Sequence, residues 1–110
     1  MDVLFPTEKQ QQYFSDSRAL QKDWGANGSK KVTLRLQQLA AAPNLEAARP
    51  LPGRCHELSG DRAGQLAMDL HKGFRLVFEP TAGPSPAKDD GGLDWSAVDS
   101  ITILEITDYH

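Results

Sequence analysis

The chain has 110 residues, 39% of them hydrophobic and 25% charged, with a formal net charge of −3. These values are typical of one small globular domain and exclude a long disordered chain or a multidomain protein, so we expect residues 1–110 to form a single domain. Cys55 is the one cysteine, which excludes an internal disulfide bond. We find no signal-like segment and no apolar run long enough to span a membrane, so we expect a cytoplasmic protein with no membrane partner.

The charges are unevenly distributed along the chain. Residues 1–78 contain eleven Lys and Arg against eight Asp and Glu, whereas residues 79–110 contain one Lys against seven acidic residues. A negative net charge argues at first against a nucleic-acid partner, because such proteins neutralise phosphates with basic residues. The basic surplus of the first 78 residues nevertheless leaves room for a basic face.

The first residues predict a short strand followed by a helix. The segment "DVLF", residues 2–5, is apolar enough for a strand. Thr7 and Gln10 have the spacing of a capping box, which predicts a helix from about Glu8.

Two further helical pieces are predicted before residue 43. The first ends at "WGANG", where Gly25 and Gly28 offer positive φ angles. Ser29 then caps the second, which ends at Pro43. The helical periodicity of this last piece rests on Val32, Leu36, Leu39 and Ala40.

In the second half of the chain, apolar and polar residues alternate with a period of two, which predicts strands. Residues 54–58, "RCHEL", form a short strand, and residues 65–70 and 74–79 form an antiparallel hairpin across a three-residue turn. Its register places Asp69 opposite Arg75. The same register gives one apolar face, made of Leu66, Met68, Leu76 and Phe78.

An irregular segment and a last strand complete the chain. Residues 80–94 contain three Pro and three Gly without periodicity, which predicts a long exposed loop. In "SITILEIT", Ile101 and Ile103 fall on one side and Leu104 and Ile106 on the other, which predicts a central strand buried on both faces. We therefore predict an α+β fold, with N-terminal helices packed on a small, mainly antiparallel sheet of four or five strands.

The last strand runs directly into Asp108, Tyr109 and His110. A strand from the middle of a sheet delivers such side chains to the rim, where a site can form. The alternative is a frayed terminus carrying ordinary polar residues. The spacing of the three residues does not decide between these interpretations.

Two residues of the hairpin region are candidates for phosphate chemistry. Arg75 interrupts an apolar strand, and its guanidinium can bind a phosphate or form an exposed ion pair with Asp69. His56 is a candidate acid or base, or a structural histidine. We predict no metal site, because no pair has a zinc-finger-like spacing among Cys55, His56, His71, Asp108 and His110.

The segment "LPGRCHELSGDRAGQLAMDLHKGFRLVFEP", followed by a loop and "ILEITDYH", resembles the RelE/HigB-type toxins of bacterial toxin–antitoxin pairs. The resemblance covers roughly residues 30–110. It implies a RelE-like microbial RNase fold and a metal-independent, cofactor-free endoribonuclease that cleaves mRNA on the ribosome and so inhibits translation. It also implies a cognate antitoxin partner, which we expect to be a HigA-type helix-turn-helix protein.

The resemblance also assigns roles to particular residues. It implies that Arg75 stabilises the charge on the reacting phosphate and that His56 acts as acid or base. Asp108 and Tyr109 would orient the nucleotide, and His110 would share proton transfer. Weaker candidates for contacts with the RNA backbone are Arg62 and Lys72.

One departure from the family pattern keeps two alternatives open. Many relatives have lysine in "LKGD", where this chain has Ser59 in "LSGD". A missing cation favours a relic that only binds its antitoxin. A second alternative is a non-catalytic gyrase inhibitor of the ParE type, although those relatives lack the set of His, Arg and terminal Tyr.

Overall fold

A computed structural model describes residues 1–81 and 92–108 of the chain. The helices in these residues are α1 (Glu8–Phe14), α2 (Ser17–Ala41) and α3 (Leu45–Ala48). The strands are β1 (Asp2–Leu4), β2 (His56–Glu57), β3 (Leu66–Asp69), β4 (Phe74–Pro80) and β5 (Ser100–Asp108). Two short 3-10 helices span Gly60–Arg62 and Trp95–Ala97.

The strands form one sheet in the order β1-β5-β4-β3-β2. Strand β1 runs parallel to β5, and all the other neighbours are antiparallel. The predicted α+β fold with a mainly antiparallel sheet is therefore confirmed. Within the described ranges, no helix combines the length and the hydropathy needed to cross a bilayer.

The helices follow the predicted boundaries in part. The Thr7 side chain caps α1 by accepting a hydrogen bond from the Gln10 amide at 3.2 Å, as expected. The two later pieces are both present within α2 and meet at a kink at Gly25, whose φ of 77° is the positive angle predicted for it. Ser29 does not cap the second piece, because it lies buried inside α2 beyond the kink.

Gly28 does not adopt the positive φ angle that we predicted for it. It lies within α2, where a Cβ atom would come within 2.8 Å of the Trp24 Cβ atom. Close packing, rather than a turn, therefore explains this glycine.

The helices cover one face of the sheet and form the core there. The predicted hairpin register is confirmed, with Met68 opposite Leu76 and Leu66 opposite Phe78. These four side chains are fully buried. Residues that complete this core from α2 and β5 include Leu20, Val32, Leu39, Ile101 and Ile103.

Strand β5 lies inside the sheet as predicted, but it is not apolar on both faces. A β-bulge changes its register, because Phe78 pairs with Ile103 while the preceding Val77 pairs with Glu105. Leu104 is thereby passed over, and Ile106 returns to the helix-covered face opposite Leu76. The prediction of two buried faces was wrong because strict alternation cannot foresee an extra residue.

The predicted loop is shorter at both ends than residues 80–94. Pro80 belongs to β4, and Leu93 packs against the core. Residues 82–91 lie outside the described residues, so the loop prediction there stays a prediction.

Candidate functional site

The face of the sheet turned away from the helices, which we call the open face, carries the polar candidates. His56 lies opposite Ala67, which in turn lies opposite Val77. Asp69 lies opposite Arg75. A cleft of about 510 Å³ lies on this face. Its lining residues are His56, Glu57, Leu58, Ser59, Asp61, Arg62 and Arg75.

Arg75 is held by the carboxylate across the hairpin. Its Nε atom lies 3.3 Å from Oδ1 of Asp69, which confirms the predicted cross-strand ion pair. The other carboxylate oxygen of Asp69 is 3.1 Å from Nε of Arg54. The Arg75 side chain is 24% exposed, so its guanidinium lies at the wall of the cleft and is accessible from it. Asp69 thus fixes two guanidinium groups beside the cleft.

His56 has a defined ring orientation. Its Nδ1 atom is 2.6 Å from the backbone carbonyl oxygen of Arg54. Because a carbonyl only accepts hydrogen bonds, Nδ1 must carry the proton. In the neutral imidazole, Nε2 is then the acceptor, which is the arrangement that a general base requires.

Arg62 reaches the cleft from the 3-10 helix that follows β2. It donates from Nη1 to Oε1 of Gln65 at 2.7 Å and forms an ion pair with Glu105 of β5. The cation that was expected to contact RNA is therefore already paired with a carboxylate. Both side chains of the pair are more than one-third exposed, so water screens the pair and an anion can compete for Arg62.

The structure brings together three of the predicted site residues, His56, Arg62 and Arg75. Lys72 lies outside the cleft, in the exposed β3–β4 turn, with φ at 56°. Asp108 pairs with Phe74, which places it on the helix-covered face and not beside Arg75. Tyr109 and His110 lie outside the described residues, so their roles stay predictions.

Cys55, next to His56, is unsuited to metal binding or nucleophilic attack. It is buried, and the burial raises the pKa of its thiol to about 12, against the weaker opposing effect of Arg49. The thiol is therefore protonated at neutral pH, whereas a ligand or nucleophile must be a thiolate. Its place is in the hydrophobic core.

Sequence reasoning missed three residues that lie outside the cleft lining but contact residues in it or beside it: Arg35, Gly53 and Glu105. Arg35 is 5% exposed and lies in α2 at a core-facing position between Val32 and Leu39. A charged residue on an apolar helix face, and a glutamate inside an apolar strand, are the signals that could have revealed Arg35 and Glu105. The third is a glycine in a turn, which is too common to stand out.

Comparison with known proteins supports the fold. No family model and no curated protein sequence matches the chain. A "YoeB/ParE toxin" from Agrobacterium tumefaciens has a similar structure, with a TM-score of 0.57 and 13% identity over 100% of both chains. Two structures of the YoeB-YefM complex from Staphylococcus aureus give TM-scores of 0.54 with 17% and 18% identity, covering 100% of this chain and 97% of theirs.

At these identities the similarity concerns the fold. The chain has the α+β fold of the RelE and YoeB group of toxins, as the sequence resemblance predicted.

Proposed function

We propose that this protein is the toxin of a toxin–antitoxin pair and that it cleaves mRNA on the ribosome. One observation carries this proposal: His56 of β2 and Arg75 of β4 line the same cleft of a RelE-type sheet, and His56 has a defined tautomer. These are the two chemical functions that metal-free RNA cleavage needs first, namely a base and a cation for the phosphate.

In the proposed reaction, the ribose 2′-hydroxyl attacks the adjacent phosphorus. Nε2 of His56 accepts the proton of that hydroxyl, and Arg75 stabilises the negative charge that develops on the phosphate oxygens. The bond to the 5′-oxygen breaks, and that oxygen takes a proton from an acid, for which His110 is our candidate. The products are a 2′,3′-cyclic phosphate and a 5′-hydroxyl.

Roles for the remaining candidates follow from position and resemblance. Tyr109 would stack on a base. Asp108 lies on the helix-covered face, so it would orient a nucleotide that passes the end of β5, outside the cleft. Lys72 and Arg62 would contact the RNA backbone. Tyr109→Phe separates stacking from hydroxyl chemistry, because it keeps the ring and removes the hydroxyl.

The charges around the cleft support dependence on the ribosome. Among residues 1–81 and 92–108, three arginines meet four carboxylates there: Arg54, Arg62 and Arg75 against Glu57, Asp61, Asp69 and Glu105. Such a cleft attracts free RNA poorly, since non-specific affinity comes from uncompensated cations. We infer that the RNA must be presented to the cleft at close range, as mRNA is on the ribosome.

An antitoxin partner is supported by the two Staphylococcus aureus structures, which are complexes of YoeB with YefM. For this chain, a HigA-type helix-turn-helix antitoxin stays our prediction. The proposal places the protein in the bacterial cytoplasm, where mRNA is translated.

The same charge balance favours one alternative, a RelE-fold module that binds its antitoxin without cleaving RNA. The Ser59 departure points in the same direction, because Ser59 lines the cleft where relatives have a lysine. A ParE-like gyrase inhibitor is the other non-catalytic form.

Induced expression in a bacterial host without antitoxin separates these functions. We expect growth arrest together with new mRNA 5′ ends inside translated regions, mapped by primer extension, and little cleavage of naked RNA by the purified protein. Growth arrest with intact mRNA and altered DNA supercoiling would favour gyrase inhibition. Normal growth despite a folded product would favour the inactive relic.

A further inference from the structure

The buried guanidinium of Arg35 lies directly beneath the turn that precedes His56. It donates from Nε to the backbone carbonyl oxygen of Asp69 at 2.9 Å and from Nη1 to Oε1 of Gln38 at 3.1 Å. Burial lowers the pKa of Arg35, and the nearby charge of Asp69 opposes this effect. Arginine is protonated at neutral pH, so this is a cation anchored under the open face.

Gly53 rests on this guanidinium. Its φ is 113°, and a Cβ atom there would lie 2.7 Å from Nε of Arg35 and 3.0 Å from Cε of Met68. The Gly53 carbonyl accepts a hydrogen bond from the Asp69 amide at 2.7 Å. The close approach and the positive φ both require glycine, so the turn is fixed against Arg35 and β3.

The turn also fixes the orientation of the His56 ring. Arg54 adopts a φ of 52°, in the left-handed region, and its side chain is tied to Asp69. Its carbonyl oxygen then receives the Nδ1 proton of His56. A chain of contacts therefore runs from Arg35 to Gly53, then to Arg54, and finally to the imidazole.

We propose that Arg35 is a positioning residue, which holds the Gly53–Arg54 turn so that His56 keeps its proton on Nδ1 and presents Nε2 as the acceptor. The catalytic role of His56 in this inference rests on the proposed function. The tautomer of His56 does not depend on that function. Arg35 touches no substrate in this account and acts only through the turn.

The tautomer can be read directly from the imidazole nitrogen shifts of ¹⁵N-labelled protein in long-range ¹H–¹⁵N spectra, recorded where His56 is neutral. The His56→Gln variant assigns the signals among the three histidines of the chain. We expect the wild-type protein to show the Nδ1–H form. A wild-type His56 in the Nε2–H form would overturn the inference at once, whatever the protein does to RNA.

Two variants then test Arg35 itself. Arg35→Gln removes the guanidinium. Gly53→Ala keeps Arg35 in the sequence but pushes the turn away from it, because the new Cβ atom would meet Nε of Arg35 and Cε of Met68. In both we expect a mixture of His56 tautomers and a fall in mRNA cleavage of roughly 10- to 100-fold, the size expected for a displaced catalytic group. Arg18 is an exposed arginine of the same helix, so Arg18→Gln is the control for lost charge. It should change neither the His56 tautomer nor mRNA cleavage.

The Gly53→Ala variant keeps the test decisive if Arg35→Gln fails to fold. A folded variant of either kind that retains the pure Nδ1–H form would show that Arg35 does not position His56. If the tautomers respond as expected but the wild-type protein cleaves no mRNA, the positioning stands and the proposed function fails.

Discussion

The two faces of the sheet differ in how the sequence encodes them. The helix-covered face is built from apolar side chains with no exposed surface, such as Leu66, Leu76 and Phe78. The open face carries charged side chains that hold one another, as Arg75 and Asp69 do, around the buried Ala67 and Val77. Non-directional packing stabilises the first face, whereas the second depends on particular distances. We conclude that substitutions of the apolar residues on the first face should mainly change stability, and that substitutions of the charged residues on the second should mainly change activity.

Leu76→Ala should have the largest effect on stability. The side chain is fully buried on the helix-covered face, so its truncation is expected to cost about 2–5 kcal/mol of unfolding free energy. Urea unfolding followed by circular dichroism measures this. A loss below about 1 kcal/mol would mean that this face is loosely packed and does not carry the stability of the fold.

Arg75→Ala tests the neighbouring position on the open face. If Arg75 stabilises the reacting phosphate, cleavage of ribosome-bound mRNA should fall at least about 100-fold. Stability should change by no more than about 1 kcal/mol, because the partly exposed pair with Asp69 contributes little.

Asp69→Ala is the comparison for that result, since it breaks the same ion pair and leaves the cation. Because it also releases Arg54, the His56 tautomer is recorded in this variant as well. Equal losses of activity in the two variants, with matching falls in melting temperature, would make Arg75 a structural residue.

Thr107→Val should raise stability by roughly 1 kcal/mol. The Thr107 hydroxyl is buried opposite Arg75 and has no hydrogen-bond partner within residues 1–81 and 92–108. Valine keeps the shape and removes the unsatisfied group. Thr102→Val is the matched control, because the Thr102 hydroxyl is 3.3 Å from that of Thr81 and its loss should destabilise. Equal effects in the two variants would refute this explanation.

Glu105→Gln should produce the smallest change, a gain in affinity for single-stranded RNA of about two- to fivefold. The substitution releases Arg62 from its counter-ion. Fluorescence anisotropy with a short RNA at several salt concentrations measures the gain.

Glu46→Gln removes the same charge from a similarly exposed Glu–Arg pair that lies outside the cleft lining. An identical gain in that variant would attribute the effect to net charge and not to the cleft.

The two faces also differ in how far the sequence predicted them. The hairpin register follows from alternation, since Leu66, Met68, Leu76 and Phe78 fit one face in a single pairing, and that pairing also predicted the contact between Asp69 and Arg75. The bulge at Leu104 was not predictable, because one extra residue leaves the composition of the strand unchanged.

The sequence predicted three residues that line the cleft, His56, Arg62 and Arg75, but not their arrangement. His56 and Arg75 share the cleft, yet the counter-ion of Arg62 and the support from Arg35 depend on contacts between residues more than 15 positions apart. Such contacts follow from the assembled fold, which local periodicity does not contain.

The most direct test of the central claim is the chemistry of the cut ends of ribosome-bound mRNA after incubation with the purified protein. We expect a 2′,3′-cyclic phosphate on the upstream fragment and a 5′-hydroxyl on the downstream fragment, both reduced at least about 100-fold in Arg75→Ala. A 3′-hydroxyl with a 5′-phosphate, or intact mRNA under conditions where the folded protein arrests growth, would contradict it.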